Sequence, residues 1–471
     1  MQAAALPWYH VLRPMTTATA DEPLSLTSIT RSFVADSITP ISAYLALAQP
    51  GRSCLLESVE GTERISRYSF VGLDYLESFT IDRDPAMLGR IRAVLGRYKL
   101  DRTDLPFPGG AVCVFTYDAA RALEPVGEAP PADVRFADAL IVVPGTWAVF
   151  DHFTHRVTLI GFARGEAERE AVDARLDGYV ARLLDGRPTI PGAVRADGPV
   201  TASLDEPAFL ARVAQAKQYI YDGEAYQLQV GIRFSCPLAG TAFDFYRQIR
   251  ALNPSPYMFY VEGGGRAVFG ASPEFLVRLD GRTARIRPLA GTRPRQADPQ
   301  ADQRVADELM ADPKERAEHV MLVDLARNDL GAVCATGSVR VDELMVIERY
   351  SHVMHIVSNV VGELRPDKDA LDLFAASFPA GTVTGTPKLR AMQLIDRLEP
   401  VARGFYAGSV AHIDFDGGMD SCIILRSVAC ANGRAYWQAS AGIVADSVPE
   451  TEYAEVFAKT GIVRAVLGIA P

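Results

Sequence analysis

The chain has 471 residues, of which 48% are hydrophobic and 23% are charged. A chain of this size and composition can bury a large core, and it is expected to form one large domain or two closely packed ones. Its net charge of −10 argues against nucleic acid or an anionic membrane as a partner. No apolar run approaches the length of a membrane span, and residues 1–25 lack the uninterrupted apolar core of a signal peptide.

The composition also predicts how the chain is divided. Residues 1–25 are expected to form a disordered tail, followed by an N-terminal part at 26–184. A stretch rich in Gly, Pro and Ala at 185–203 reads as a linker to a C-terminal part at 204–471. The six cysteines are scattered without a C-x-x-C pair, which is typical of reduced thiols and predicts a cytoplasmic protein.

Strand-like and helix-like segments alternate along both parts. The N-terminal part has strand patterns at 53–57, 111–117, 139–150 and 156–162, and helix patterns at 86–98 and 167–184. The C-terminal part opens with a helix for which Ser203-x-x-Glu206 can serve as a capping box. Further strands are predicted at 266–279, 282–290, 405–415, 421–430 and 434–445, with helices at 313–330, 387–398 and 448–467. This order predicts an α+β fold with a large antiparallel β-sandwich flanked by helices.

One strand has a particularly regular pattern. Apolar residues at 226, 228, 230, 232 and 234 alternate with polar or small residues at 227, 229, 231, 233 and 235. Strict alternation of this kind is typical of a strand with one buried and one solvated face. The segment is therefore predicted to be half-buried.

Two pairs of glutamates with E-x-x-E spacing are the main candidates for a metal site. Glu315 and Glu318 follow Asp312, the predicted N-cap of a helix, and Glu452 and Glu455 lie on the last helix. The spacing places both carboxylates of a pair on one helix face. Carboxylate oxygens with water and an anionic substrate suit Mg²⁺. The alternatives are a helix-capping role for Glu315 and a solvated helix face for the second pair.

Other patterns are weaker. His355 lies in an apolar strand-like segment, where a histidine is more often a hydrogen-bonded core group than a catalyst. Thr386 is predicted to cap a helix that starts at Pro387, after a loop whose glycines allow close approach to a ligand. Small residues at 439–442 lie at a strand end, where backbone amides can reach an anion.

Taken together, these segments resemble the chorismate-utilising enzymes, and within them the large (aminase) subunits of anthranilate synthase. The resemblance rests on GASPEFLVR (270–278), RPLAGTRPR (287–295), DPKERAEHVMLVDLARNDLG (312–331), ERYSHVMHIVSNVVGEL (348–364), FPAGTVTGTPKLRAMQLIDRLEP (378–400), MDSCIILRS (419–427) and AGIVADSVPETEYAEVFAK (441–459). LLESVEG (55–61) and RYSFVG (67–72) extend it into the N-terminal part. It implies the β-sandwich fold of that family, with a regulatory N-terminal part and a chorismate-binding catalytic domain at 204–471.

The resemblance implies a Mg²⁺-dependent reaction in which chorismate and ammonia give anthranilate and pyruvate in tryptophan biosynthesis. None of the cysteines lies in the glycine-flanked turn of a glutamine amidotransferase. The ammonia is therefore expected to come from glutamine through a separate amidotransferase subunit, which makes a hetero-oligomer the expected assembly. Tryptophan is expected to act as a feedback inhibitor.

Roles carry over residue by residue. The resemblance implies direct Mg²⁺ ligation by Glu318 and Glu455, with Glu315 and Glu452 acting through water. It implies that His355 is the general acid for the departing hydroxyl, with Glu274 and Thr382 near the reacting ring. The implied substrate-binding residues are Gly291, Thr292, Tyr406, Arg426, Ser440, Ala441, Gly442 and Lys459. The implied tryptophan-binding residues are Glu57, Ser58, Pro256, Tyr257 and Met258.

The residue at position 290 indicates which reaction of the family is expected, and here it is alanine. Relatives that use a covalent lysine, or a lysine that activates water, have Lys at this position, and alanine can do neither. The sequence also departs from the family pattern at Thr386, at Ser440 and at Gly231-Ile232. Two other functions stay open: an aminase that makes aminodeoxychorismate or aminodeoxyisochorismate, and a non-catalytic regulatory subunit with the same fold.

Overall fold

The computed structural model describes residues 23–58, 67–101, 107–186, 189–350 and 353–470. Most of the predicted N-terminal tail lies outside these ranges, and the first strand begins at Leu24. The strands are β1 (Leu24–Val34), β2 (Cys54–Glu57), β3 (Tyr68–Ile81), β4 (Tyr98–Leu100), β5 (Gly110–Phe115), β6 (Ala139–Asp151), β7 (Arg156–Arg164), β8 (Arg195–Ala196), β9 (Thr201–Ala202), β10 (Gln227–Ala239), β11 (Tyr257–Gly263), β12 (Arg266–Ser272), β13 (Phe275–Asp280), β14 (Thr283–Ile286), β15 (Leu289–Pro294), β16 (Arg340–Arg349), β17 (Val353–Glu363), β18 (Gly385–Thr386), β19 (Ser409–Asp414), β20 (Met419–Ile423), β21 (Ser427–Ala431) and β22 (Arg434–Ile443).

The helices surround these strands. They are α1 (Pro40–Leu47), α2 (Met87–Leu95), α3 (Glu166–Leu184), α4 (Glu206–Tyr221), α5 (Ala242–Leu252), α6 (Pro299–Ala311), α7 (Pro313–Val333), α8 (Ala370–Ser377), α9 (Lys388–Leu398) and α10 (Pro449–Val466), with short 3₁₀ helices at Tyr117–Ala122 and Gly381–Val383. None of the helices in the described part of the chain is long and apolar enough to cross a membrane.

The strands pair into two mainly antiparallel sheets that share β6. One sheet runs β1–β7–β6–β3–β2–β11–β12–β21–β22–β10. The other leaves β6 through β5 and continues β19–β20–β13–β14–β17, with β15 and β16 beside β17. The β6 sequence ALIVVPGTWAVF is buried on both faces, as expected for a strand at the junction of two cores. The predicted α+β sandwich is confirmed.

Two large apolar clusters form the core. One contains residues of β5, β6, β19, α7 and α8, and the other contains residues of β10, β12, β22, α4 and α10. Both clusters combine residues from the two predicted parts of the chain. The N- and C-terminal parts also share sheet hydrogen bonds, at β2–β11 and β5–β19.

Three local predictions were wrong. The N-cap of α4 is Asp205, whose side chain accepts from the Ala208 amide, and not Ser203. Thr386 forms part of β18 and makes no cap for α9, which begins after Pro387. The strand β10 is buried on both faces over its first ten residues and is not half-buried. In β10 the polar side faces other parts of the protein instead of water.

The segment read as a linker also contains ordered structure. Within 185–203, the short strands β8 and β9 pair with β10. Gly and Pro in this stretch prevent long regular elements, but two residues are enough for a strand pairing. The segment therefore runs along the edge of the apolar cluster that contains β10, β12 and β22.

Candidate active site

The helix α7 brings the first glutamate pair to the site. Asp312 caps the helix by accepting from the amides of Lys314 and Glu315, at 2.9 and 3.3 Å, and Pro313 occupies the first turn. This confirms the predicted N-terminus. The helix packs against β15 and β17, which lie next to each other in the sheet.

Glu318 is a perturbed carboxylate of the first pair. Burial raises its pKa, and repulsion from Glu315 and Glu455 raises the pKa further. Gln227 donates to Glu318 from Nε2 at 3.1 Å and partly opposes this rise. The two helices therefore do bring carboxylates from both E-x-x-E pairs into electrostatic contact.

The helix α10 supplies the second pair. Glu452 is buried, and burial raises its pKa, followed by repulsion from Glu455. Lys459 lies one turn after Glu455 and bonds its carboxylate at 2.5 Å. The same ammonium donates to the Ser440 carbonyl at 3.0 Å, which ties α10 to β22. The stripe is therefore mixed: Glu452 is enclosed, whereas the side chains of Glu455 and Lys459 are each 44% exposed.

The carboxylates do not form a complete protein cage for a metal. Across the described ranges, no group of three or more His, Cys, Asp or Glu side chains is arranged to hold a metal ion. Arg293 pairs with Glu315 at 3.0 Å. A donor set of one or two carboxylates still suits Mg²⁺, which keeps waters and takes further oxygens from an anionic substrate. Glu315 and Glu455 are near enough to Glu318 to add to the rise in its pKa, and this gathering of negative charge favours a cation there.

His355 lies on β17 opposite Thr292 of β15. Its Nδ1 is 3.1 Å from the Gly291 carbonyl and 3.0 Å from the Thr292 hydroxyl. A carbonyl can only accept, so Nδ1 carries a proton, and in the neutral ring Nε2 is unprotonated. Burial lowers the pKa of His355, and the nearby positive charge of Arg426 lowers it further. His355 can therefore donate a proton from Nε2 only as the imidazolium.

Gly291 has a conformation that favours glycine. Its φ is +68°, and a Cβ there would lie 3.1 Å from a carboxylate oxygen of Glu315. This glycine therefore lets the β15 backbone pass close to α7. Its carbonyl is left free to orient His355.

Arg426 is a cation in an enclosed position. No hydrogen bond or ion pair of its guanidinium is seen with the described residues, although burial lowers its pKa. Its backbone has φ +48°, which is uncommon for a residue other than glycine and is typical of functional sites. Because a partly buried charge without a partner in the described part of the chain is costly, Arg426 has the properties of an anion-binding group.

Glu274 and Thr382 contact each other directly. The Thr382 hydroxyl donates to Glu274 Oε1 at 3.1 Å. Desolvation raises the pKa of Glu274 to about 8, against which the threonine hydrogen bond acts only weakly. Glu274 is therefore mostly protonated at neutral pH. The structure brings this pair together as the resemblance implies, while their catalytic role stays a prediction.

The polar side of β10 contributes residues that sequence reasoning missed. Gln227 contacts Glu318, and Gln229 donates to the Thr382 carbonyl at 2.9 Å. Ser440 donates to Gln229 Oε1 at 2.7 Å and lies 2.6 Å from the Tyr406 hydroxyl. The sequence did contain a signal for these residues, namely the alternation of polar and apolar side chains along β10. A polar strand face in a mostly buried region contacts either water or a polar site.

The departure at Gly231 also has a structural reason. Its amide donates to Glu399 Oε1 at 2.9 Å, within a buried ion pair between Glu399 and Arg403. A Cβ at this position would lie 2.7 Å from Gln438 Nε2. The glycine therefore makes room for this buried polar network.

The predicted effector residues lie where β2 and β11 pair. Glu57 is opposite Met258, and it accepts from Tyr246 at 2.6 Å and from Arg250 at 2.9 Å. The Ser58 hydroxyl is buried and has no partner among the described residues. Tyr257 is bound to Asp420 at 3.0 Å, and Pro256 precedes it in a buried position. The five residues are close along two paired strands, and tryptophan as their ligand stays a prediction.

Residues 53–464 match the protein family described as chorismate binding enzyme. The chain belongs to this family. It is 44% identical over 449 residues to anthranilate synthase component 1 of Streptomyces coelicolor, covering 91% of this chain and 86% of that protein. The crystal structure of anthranilate synthase component I from Streptococcus pneumoniae superimposes with a TM-score of 0.77 at 31% identity, covering 92% of this chain and 99% of that one.

A further neighbour shares the fold alone. The menaquinone-specific isochorismate synthase of Escherichia coli has a TM-score of 0.73 at 21% identity, covering 96% of each chain. The same architecture therefore occurs in proteins named for a different reaction. The choice of reaction has to come from residues of the site.

Proposed function

We propose that this chain is the large subunit of an anthranilate synthase, which converts chorismate and ammonia to anthranilate and pyruvate. The observation that carries the proposal is the position of Ala290. It pairs with Ile356 in β15–β17, one residue before the segment that orients His355. A methyl group at this point can neither attack carbon nor activate water. An external amine is the nucleophile that fits.

Different charged groups would bind the metal ion and the carboxylates of the substrate. Glu318 and Glu455 would hold Mg²⁺, supported by Glu315 and Glu452, and the ion would supply charge neutralisation for an anionic substrate. The guanidinium of Arg426, which has no ion pair within the described ranges, would take a carboxylate. The Lys459 ammonium and the backbone amides near Ser440, Ala441 and Gly442 would assist it. These groups fix the substrate without supplying a nucleophile.

His355 would handle the proton of the departing hydroxyl. Its Nδ1 hydrogen bond to Gly291 directs Nε2 as the exchanging nitrogen. An anionic substrate nearby favours the imidazolium and opposes the effect of burial on the pKa. A positioned acid of this kind contributes about 10²–10⁴-fold to the rate.

Product analysis tests the proposed reaction. Purified protein is incubated with chorismate, ¹⁵N-ammonium and Mg²⁺, and the products are identified by mass spectrometry. We expect ¹⁵N-anthranilate. A ¹⁵N-product that retains the enolpyruvyl group would instead identify the aminodeoxychorismate or aminodeoxyisochorismate type. Unchanged chorismate with folded protein would favour the non-catalytic subunit.

The variant Glu318→Gln tests the metal assignment. It keeps the size of the side chain and removes the charge that repels Glu315 and Glu455, so the fold should be retained. We expect Mg²⁺-dependent turnover to fall by at least about 100-fold, since the charge that holds the ion is lost. Asp324→Asn is the matched control, because Asp324 is on the exposed side of α7 and pairs with Arg327 at 2.8 Å. Retained turnover in Glu318→Gln would remove Glu318 from the metal site.

The proposal includes a partner and an inhibitor. The relatives are named "component 1", which supports the existence of a second subunit. We infer that this subunit is a glutamine amidotransferase that supplies ammonia. Tryptophan inhibition through the β2–β11 region rests on the same inference. A buried carboxylate at Glu57, beside a Ser58 hydroxyl that has no partner among the described residues, supports a ligand site there.

A further inference from the structure

One face of the helix α7 reaches beyond the candidate metal site. Glu318, Leu325 and Asp329 are separated by seven and four residues, so they lie on the same face over about three turns. At a rise of about 1.5 Å per residue, Asp329 is about 16 Å along the helix axis from Glu318. A single rigid helix therefore supports the metal-site carboxylate at one end of this face and further contacts at the other.

The further contacts involve Lys388, the first residue of α9. Its ammonium is 3.0 Å from both carboxylate oxygens of Asp329, and it donates to the Ser377 carbonyl at 3.2 Å. Both charged side chains are largely buried, with 16% of Lys388 and 14% of Asp329 exposed. Burial raises the pKa of Asp329, and the positive charge of Lys388 opposes this rise. Each group is thus stabilised by the charge of the other.

These contacts close the loop formed by residues 378–387. Ser377 is the last residue of α8 and Lys388 is the first of α9, so one ammonium joins both ends of the loop to α7. Within the loop, Gly381 packs directly on Leu325, because a Cβ at this glycine would overlap the leucine side chain. The loop is therefore held on α7 at two places.

The loop also brings Thr382 to Glu274. This threonine follows Gly381 directly, and its hydroxyl oxygen is 3.1 Å from Glu274 Oε1. Glu274, Thr382 and Asp329 line one cavity of about 40 Å³, so the ion pair adjoins the same space as the two site residues. A displacement of the loop from α7 would therefore change the position of Thr382 relative to Glu274.

We propose that Lys388 and Asp329 are positioning residues, whose ion pair fixes the loop at 378–387 on α7 and so places Thr382 against Glu274. Neither charged group contacts the substrate. The link to catalysis rests on the proposed function, which puts Glu274 and Thr382 near the reacting ring. The link to structure does not, since the ion pair holds the loop whatever the reaction is.

Crystal structures of the wild type and of Asp329→Asn test the placement without any turnover. Asparagine keeps the shape of the side chain and leaves the Lys388 ammonium without its counter-ion. We expect residues 378–387 to shift on α7 and Thr382 Oγ1 to move out of hydrogen-bond distance of Glu274. An unchanged distance between Thr382 and Glu274 would overturn the proposal. Lys388→Met is a second variant with the same expected shift, for use if Asp329→Asn does not fold.

Steady-state kinetics of the same variants test the consequence for the reaction. Asp329→Asn and Lys388→Met are each expected to lower kcat with ammonium about 10²-fold, as for a displacement of reacting groups by about 1 Å, with little change in the KM for chorismate. The double variant should lose no more than either single variant, because the pair acts as a unit. Asp329→Glu retains the carboxylate and should keep most of the turnover. Losses that multiply in the double variant, or an effect on KM alone, would overturn the proposal.

Asp396→Asn is the matched control for loss of stability. Asp396 is also on α9, and it pairs with Arg121 at 2.8 Å. The exposed fractions of these two side chains, 13% and 16%, are close to those of the Lys388 pair. The control should lower the free energy of unfolding and leave kcat unchanged. Equal losses of kcat in Asp396→Asn and Asp329→Asn would overturn the proposal. Absence of turnover in the wild type would refute the proposed function, while the crystal structures would still decide this inference.

Discussion

At the scale of single residues, the site is built from groups whose charge state is altered by burial. Glu274 has a pKa raised to about 8 by desolvation, and burial lowers the pKa of His355. Arg426 keeps a charge without an acidic partner among the residues that the structure describes. Perturbed groups gathered in this way are typical of active sites. They suit the site to a charged ligand at a cost in stability.

The cost at Glu274 can be measured through the pH dependence of unfolding. An unfolded glutamate ionises near pH 4.3, whereas folded Glu274 ionises at about 8. Between these values, unfolding releases a proton, so the free energy of unfolding falls as the pH rises. Glu274→Gln keeps a neutral side chain and removes this loss. We expect the variant to match the wild type near pH 4 and to become increasingly more stable toward pH 8.

Urea unfolding at several pH values checks this expectation. Glu363→Gln is the control, because Glu363 is exposed at the end of β17. The control should follow the wild type at every pH. If the free energies of unfolding of Glu274→Gln and the wild type changed in parallel with pH, Glu274 would be ionised in the folded protein at neutral pH.

At the scale of elements, two helices and two strand pairs position the site. The helix α7 carries Glu318, and α10 carries Glu455 and Lys459. The β15–β17 pair orients His355. Pairing of β10 with β22 places Gly231 opposite Ser440. The position of α7 depends on its N-terminus, since Asp312 both caps the helix and pairs with Arg293 at 3.2 Å.

Substitution of two helix N-cap residues distinguishes an effect on protein stability from an effect on turnover. Asp312→Ala and Asp205→Ala each delete an N-cap side chain, and each is expected to lower the free energy of unfolding by about 1 kcal/mol. Only Asp312→Ala should also lower turnover, because α7 carries Glu318 while Asp205 begins α4. Denaturant midpoints and steady-state rates measure the two effects. Equal losses of turnover would show that the cap of α7 has no special part in the site.

Some of these elements are determined by local spacing, whereas others depend on tertiary packing. The cap of α7, the antiparallel sandwich and the meeting of the two glutamate pairs could all be predicted, because local spacing or the family resemblance specifies them. The burial of Gln227 and Gln229 could not. Alternation shows that a strand has two different faces, but only tertiary packing decides whether the polar face meets water or protein. Ser203 failed as a cap for a related reason, since Asp205 lies closer to the start of α4 and competes for the same role.

At the scale of the whole molecule, the N- and C-terminal parts form one continuous structure. The junction strand β6 belongs to both sheets, and β2 pairs with β11. The candidate effector residues are on this shared region, whereas the glutamates are on helices packed outside the sheets. A ligand bound beside the β2–β11 pair would therefore act on strands that both parts of the chain share.

The whole structure is proposed to serve amination of chorismate with loss of pyruvate. The most direct test follows anthranilate fluorescence and pyruvate release in one sample of the purified chain with chorismate, ammonium and Mg²⁺. We predict that both products appear at equal rates and without a partner subunit. Consumption of chorismate without pyruvate, or no consumption by folded protein, would contradict this account.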